Sequence, residues 1–281
     1  MPETLPQDRY VKVGNINTRY WQAGEKGSAV VLVHGLGGSI ENWQYNISVL
    51  ARQHRVYALD LLGFGRTDKL PLPKHLTELV QFTSDFLDTQ GITKACLVGN
   101  SLGGGLVLQF AIQFPNKVEK LVLVNSAGMG RDVNFTLRLL SVPFLGKILA
   151  GRPTLKSVEG LMNDICYDPA VVTPEMVKTC YDLAVLPGAS KALLSVTHGG
   201  ISLLGQRSEY TRPILDGLAK ITVPTLIFWG RQDKVIPVKH AHIAASKIHG
   251  AELHIFDKCG HAAMLEHPDE FNKITLNFLA K

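Results

Sequence analysis

The sequence has little of several features that would assign it to a class at once. Its four cysteines, Cys96, Cys166, Cys180 and Cys259, show no CxxC spacing, which argues against a zinc site or a disulfide framework. The basic residues form no run, so a nucleic-acid partner is not expected. No apolar stretch reaches the roughly 18 residues of a membrane span, and the first residues lack a signal-peptide pattern. We therefore expect a cytoplasmic protein with reduced thiols and no membrane span.

Beyond these absences, the composition is that of an ordinary globular protein. Hydrophobic residues make up 46% of the 281 positions, and the formal net charge is a mild +5. A chain of this length accommodates one α/β domain with an insertion. We find no internal repeat and expect a monomer or a homodimer that acts on a small molecule.

Short apolar segments alternate with amphipathic segments along most of the chain. Strands are predicted at 10–13, 18–22, 29–33, 55–60, 95–98, 120–125, 225–229 and 252–256. Helices are predicted at about 41–53, 77–90, 104–114, 238–248 and 268–280. This order predicts an α/β fold with a mostly parallel sheet of eight strands that is flanked by helices.

The alternation stops in the middle of the chain. Residues 131–213 contain no convincing buried strand and have the pattern of short helices separated by prolines. We interpret this segment as an inserted helical cap. The core domain would then consist of residues 1–130 and 214–281.

A serine lies between a predicted buried strand and a predicted helix, in Gly99-Asn100-Ser101-Leu102-Gly103. A Gly-x-Ser-x-Gly sequence in this position is typical of a nucleophile elbow, a sharp turn that exposes the serine hydroxyl. The flanking glycines fit because a Cβ there would collide with the neighbouring strand or helix. Ser101 is therefore the predicted nucleophile.

A serine nucleophile needs a general base and an acid that orients the base. His261 follows the last predicted strand, and Asp233 follows the strand before it. The carboxyl ends of parallel strands lie at one edge of the sheet, so both should approach Ser101. Asp257 and the position of Asn125 are the alternatives to Asp233.

Two backbone N–H groups are expected to stabilise the oxyanion that forms when the serine attacks. One belongs to Leu102, directly after the nucleophile. The other belongs to the glycine-rich loop after strand 29–33, where Leu36 is our first choice and Gly37 the alternative. His34 in the same loop is interpreted as structural, and Gly37 and Asn100 are expected to contact the substrate.

These motifs resemble the α/β-hydrolase family over essentially the whole chain, from His34-Gly35-Leu36-Gly37 to Gly260-His261. Within that family, two stretches resemble the meta-cleavage-product hydrolases: Gly99-Asn100-Ser101-Leu102-Gly103-Gly104 and Lys258-Cys259-Gly260-His261, followed by Glu266-His267. Those enzymes split a carbon–carbon bond in vinylogous 1,5-diketone acids. The serine at the elbow differs from the aspartate of haloalkane dehalogenases and epoxide hydrolases.

Two positions depart from the meta-cleavage-product pattern. Those enzymes usually have a tryptophan directly after the catalytic histidine, where this chain has Ala262. They also use a cap arginine to hold the substrate carboxylate, and Cys180 aligns with it here. An anionic substrate buried without a cation would be costly to desolvate.

The cap contains a largely apolar run between residues 135 and 149. We expect four of its side chains to form an acyl pocket over Ser101: Phe135, Leu139, Leu140 and Phe144. Packing of the run on the core, or contact with a lipid surface, are the alternatives.

The first functional hypothesis is a serine carboxylesterase for short to medium acyl chains, with a small ester as its partner and no metal or cofactor. The second is a carbon–carbon hydrolase of the meta-cleavage-product type. The third is a small-molecule receptor that keeps the catalytic residues but turns over slowly and signals through its cap.

Overall fold

A single large sheet forms the centre of the molecule in the computed structural model, which describes residues 5–70 and 72–281. The strands are β1 (Arg9–Val13), β2 (Ile16–Ala23), β3 (Ala29–Val33), β4 (Arg55–Leu59), β5 (Ala95–Asn100), β6 (Val118–Val124), β7 (Ile201–Ser202), β8 (Gly205–Gln206), β9 (Thr225–Gly230) and β10 (Glu252–Phe256). Eight of them form the main sheet, in the order β1-β2-β4-β3-β5-β6-β9-β10. The first two pairings, β1 with β2 and β2 with β4, are antiparallel, and the others are parallel.

Helices cover both faces of this sheet, and further helices form the inserted segment between β6 and β9. In chain order the helices are α1 (Ile47–Leu50), α2 (Leu76–Thr89), α3 (Leu102–Gln113), α4 (Phe135–Leu140), α5 (Pro143–Gly151), α6 (Leu155–Ile165), α7 (Pro174–Ala184), α8 (Ala189–Gly200), α9 (Ser208–Gly217), α10 (Lys239–Lys247), α11 (Ala263–Glu266) and α12 (Pro268–Ala280). The central strands β3 and β5 are buried along their whole length because helices pack on both of their sides. One hydrophobic cluster lies on each side of the sheet.

The predicted sheet is confirmed, but one predicted helix is broken. The helix expected at 41–53 is a 3-10 turn at Ile40–Trp43 followed by the four-residue α1. Between them Asn46 is buried, and its side-chain amide donates to Asn272 Oδ1 at 2.9 Å and to Met264 O at 3.2 Å. Tertiary hydrogen bonds therefore replace a continuous helix here.

Residues 131–213, the segment predicted as a cap, are mainly helical and also contain the small antiparallel pair β7–β8. Helix α9 runs from Ser208 to Gly217 and crosses the boundary expected at 213. The division into core and cap at that residue stays a prediction. Within the described residues, none of the helices has the length and apolar character needed to cross a bilayer.

Candidate active site

Ser101 occupies a strained turn between β5 and α3. Its φ of 55° and ψ of −117° are rare for a residue with a side chain. A Cβ on Gly99 would lie 2.3 Å from the carbonyl oxygen of Gly103, and one on Gly103 would lie 2.3 Å from that of Val33. Only glycine fits at both positions, because a Cβ would collide with these carbonyl oxygens, as the sequence motif predicted.

His261 and Asp233 form a hydrogen-bonded pair at the same edge of the sheet. Nδ1 of His261 lies 2.8 Å from Oδ2 of Asp233, and both residues are buried. A carboxylate accepts, so Nδ1 carries the proton and Nε2 is left to accept one. The other carboxylate oxygen of Asp233 accepts from the backbone N–H groups of Val235 and Ile236, at 2.8 and 2.9 Å.

Asn125, at the end of β6, completes the support of the carboxylate. Its side-chain amide donates to Asp233 Oδ2 at 2.8 Å and to the carbonyl of Gly260 at 3.1 Å. From the sequence, this position was expected only as an alternative to Asp233. The other alternative, Asp257, is largely exposed and is paired with Arg231, so it does not orient His261.

Asn100 does not have the place expected of a substrate contact. It is buried, and its side-chain amide donates to the backbone carbonyls of Val124 and His261, both at 3.2 Å. The residue beside the nucleophile thus binds the backbone of the histidine. Its observed contacts are those of a positioning group.

The glycine-rich loop after β3 brings Leu36 close to Ser101. Both residues line one cavity, together with Leu102. Gly37 follows with a φ of +70° and comes close to Leu193 of the cap. His34 is fully buried; its Nε2 accepts from the N–H of Leu61 at 3.0 Å, and its Nδ1 donates to the carbonyl of Gly35 at 2.8 Å. Both ring nitrogens are used, as expected of a structural histidine.

The cavity next to Ser101 is mainly apolar. Core and cap contribute Ala127, Ile236, Val133, Leu137, Val196 and Ile201. Among the polar lining residues, Gln206 and Thr197 are bonded to backbone groups. The hydroxyl of Tyr210 is buried and has no hydrogen-bond partner among the described residues. Burial in these apolar surroundings raises the pKa of this phenol.

The lining of the cavity corrects the expectation for the cap. Phe135 and Phe144 are 69% and 78% exposed, and neither they nor Leu139 and Leu140 line the cavity with Ser101. Leu137 lines it instead, because α4 turns that side chain towards the core. Periodicity revealed an apolar helix but not which of its sides faces the site.

A substrate carboxylate buried in this cavity would need a cationic side chain beside it. Within the described residues the only charged lining residue of the cavity is Lys74, which is exposed. Cys180, which the sequence comparison predicted at the position of that cap arginine, packs against one of the two hydrophobic clusters. Burial raises the pKa of its thiol to about 11, so it is neutral.

Glu266 also belongs to the site, although no sequence motif predicted a role for it. Its Oε1 accepts from the N–H of Gly260 at 2.8 Å and from that of Ala262 at 3.3 Å, on either side of His261. Its Oε2 accepts from the N–H of Tyr167 in the cap at 2.6 Å. One carboxylate thus joins the histidine loop to the cap.

A comparison with family models identifies the fold. Residues 30–274 match the model of the "Alpha/beta hydrolase family". The chain belongs to the alpha/beta hydrolase family. The predicted fold class is therefore confirmed, and so is the assignment as a hydrolase.

Several proteins similar to this chain are, by name, hydrolases of substituted hexadienoates. A 2-hydroxy-6-oxo-6-(2'-aminophenyl)hexa-2,4-dienoic acid hydrolase of Metapseudomonas resinovorans is 32% identical, over 99% of this chain and 93% of that protein. A 2-hydroxy-6-oxo-6-phenylhexa-2,4-dienoate hydrolase of Burkholderia cepacia is 30% identical, over 95% and 93%. The solved structure of a hydrolase of the latter name from Rhodococcus sp. strain RHA1 superposes with a TM-score of 0.85 at 26% identity, covering 99% and 100% of the two chains.

Proposed function

We propose that this alpha/beta hydrolase cleaves a bond next to a carbonyl group, with Ser101 as nucleophile, His261 as general base and acid, and Asp233 as the group that orients His261. The observation that carries the proposal is the 2.8 Å bond between His261 and Asp233, at the edge of the sheet where the elbow holds Ser101. Asn100 supports it, because it directly precedes Ser101 and binds the backbone of His261.

The reaction follows from these positions. Ser101 attacks the carbonyl carbon while Nε2 of His261 takes its proton. The N–H groups of Leu102 and of Leu36, with Gly37 as the alternative to Leu36, stabilise the oxyanion. The tetrahedral intermediate collapses, and His261 delivers the proton to the leaving group. Water, deprotonated by His261, then releases the acid from Ser101.

The bond we propose first is a carbon–carbon bond, as in the relatives named above. A carbon leaving group departs with an electron pair, so it must delocalise that pair into a conjugated carbonyl. A vinylogous 1,5-diketone meets this requirement. Similarity over nearly the whole chain to two dienoate hydrolases supports this substrate class.

Ester hydrolysis is the second candidate, and the charge of the cavity favours it. A dienoate carries a carboxylate, whereas the described lining offers only the exposed Lys74 as a cation. A neutral ester with an apolar acyl group needs no buried cation, and an alkoxide leaving group needs only the proton of His261.

A side-by-side assay separates the two bond types. The wild type and Ser101→Ala are given 2-hydroxy-6-oxo-6-phenylhexa-2,4-dienoate and a series of p-nitrophenyl esters from acetate to decanoate. We expect a higher kcat/KM for the dienoate and no turnover by the variant. Faster ester hydrolysis with a chain-length optimum would establish the second candidate. Failure of a folded wild type on both substrates would contradict the proposed hydrolysis and leave slow-turnover ligand sensing.

A further inference from the structure

Exposed apolar side chains are concentrated in one short part of the cap. Five large apolar side chains of residues 135–155 are exposed: Phe135, Phe144, Ile148, Leu149 and Leu155. Scattered apolar residues on a surface are normal, but a concentration of this kind marks an interaction surface. Two of the five are phenylalanines, which rarely stay in water without a partner.

Helix α5 shows how this surface is oriented. Phe144 and Ile148 lie four residues apart, so they share one side of the helix, and the exposed Lys147 lies beside them. On the inner side Gly146 is buried; a Cβ there would lie 3.0 Å from Leu194 of α8. The helix packs inwards through its glycine and presents its apolar side chains outwards.

The charged residues within this stretch of the sequence have one sign. Between residues 133 and 158 the charged residues are Arg138, Lys147, Arg152 and Lys156, with no aspartate or glutamate among them. A short helix with exposed aromatic and aliphatic side chains and basic neighbours matches the boundary of an anionic lipid layer. Another protein surface would have to be both apolar and acidic to match it equally well.

We propose that the outer side of α4 and α5, the cap face formed by Phe135, Phe144, Lys147, Ile148 and Leu149, docks on an anionic lipid surface. Phe144 and Ile148 insert among the acyl chains while the surrounding lysines and arginines contact the headgroups. Helix α4 carries the exposed Phe135 and also Leu137, which lines the cavity with Ser101. A docked cap therefore brings the mainly apolar cavity beside Ser101 close to the lipid surface. The proposal holds for either bond type.

The test is co-sedimentation of the full chain with vesicles of phosphatidylcholine alone or mixed with phosphatidylglycerol. We expect binding to the mixed vesicles that weakens as salt is raised. Phe144→Ser/Ile148→Ser should weaken it by at least about tenfold. The matched control is Tyr10→Ser/Leu70→Ser, a pair that is 48% and 69% exposed and lies in a groove on the core. Circular dichroism and thermal unfolding check that each variant folds.

Three outcomes would overturn the proposal. The wild type could bind neither kind of vesicle, or the cap-face variant could bind as well as the wild type. Alternatively, light scattering could show a wild-type dimer that the cap-face variant splits into monomers without any vesicle binding. The cap face would then contact a second copy of the chain.

Discussion

The backbone N–H of His261 donates to the carbonyl of Ile165 at 2.7 Å, so the loop that carries the histidine is bonded directly to the cap. Gly260 allows this approach, because a Cβ there would lie 2.5 Å from the same carbonyl oxygen. Cap and base are therefore not independent parts. A shift of the cap at residue 165 would move the backbone of His261.

Glu266 should be important for the rate because it holds the two sides of this junction together. Glu266→Ala leaves the N–H groups of Gly260, Ala262 and Tyr167 without their acceptor, and we expect kcat to fall about tenfold. Steady-state kinetics with the better substrate measures it. Glu270→Ala is the control, since Glu270 is a surface residue whose partner is His254. Equal kcat in both variants would argue against the role of Glu266.

Asn125 should contribute through Asp233. Its replacement removes one donor from a buried carboxylate, and we expect a decrease in kcat of about ten- to a hundredfold. Asn125 has a φ of 47°, so Asn125→Gly keeps the backbone relaxed while Asn125→Ala adds strain. Both variants should lose the same activity, and the alanine variant should lose more stability than the glycine variant. Full activity in the glycine variant would show that Asp233 does not need the amide.

Tyr210 should affect recognition and not folding. Its buried hydroxyl has no partner among the described residues, so Tyr210→Phe should leave the unfolding free energy unchanged or raise it slightly. We expect about tenfold lower kcat/KM for esters with an oxygen in the acyl chain, and no change for hydrocarbon chains of equal length. Tyr181→Phe, outside the cavity, is the control. An equal decrease for both kinds of ester would rule out a hydrogen bond from Tyr210.

The stability of the fold should depend on pH through His34. Burial lowers the pKa of His34 from 6.5 to about 4, so the folded state keeps it neutral while the unfolded chain protonates it. Above about pH 6.5 the burial of neutral His34 costs no unfolding free energy. As the pH falls towards 4, the protonation of His34 in the unfolded chain lowers the unfolding free energy. Near pH 5 this effect lowers the unfolding free energy by at most about 2 kcal/mol.

Urea unfolding of the wild type and His34→Gln at about pH 7 and pH 5 measures this difference. Other titrating groups cancel in the comparison between the two proteins. The wild type should lose more unfolding free energy than the variant between the two pH values. Parallel losses would mean that His34 titrates alike in the folded and unfolded states.

The parts of the fold that could be predicted are those determined by residues that are close together in the sequence. The glycines around Ser101 and the apolar runs before each loop are fixed by steric fit and burial, so they can be read from neighbouring residues. Placement of Asp233 and His261 at one sheet edge then followed from the parallel order of the strands.

The rest depends on contacts between distant segments. Asn125 reaches Asp233 because β6 lies beside β9, and Glu266 bonds a residue 99 positions away. No spacing in the sequence encodes either contact. The wrong expectation for Phe135 and Phe144 has the same origin, since an apolar helix has the same pattern whether it faces a cavity or the surface.

The most direct test of the account is to identify the residue that forms the covalent intermediate. A fluorophosphonate probe, which reacts with activated serines, is incubated with the wild type and Ser101→Ala, and the adduct is located by peptide mass spectrometry. We predict one adduct, on the peptide that contains Ser101, and none in the variant. Equal labelling of both proteins, or an unlabelled wild type that still turns over its substrate, would contradict the central claim that Ser101 is the nucleophile.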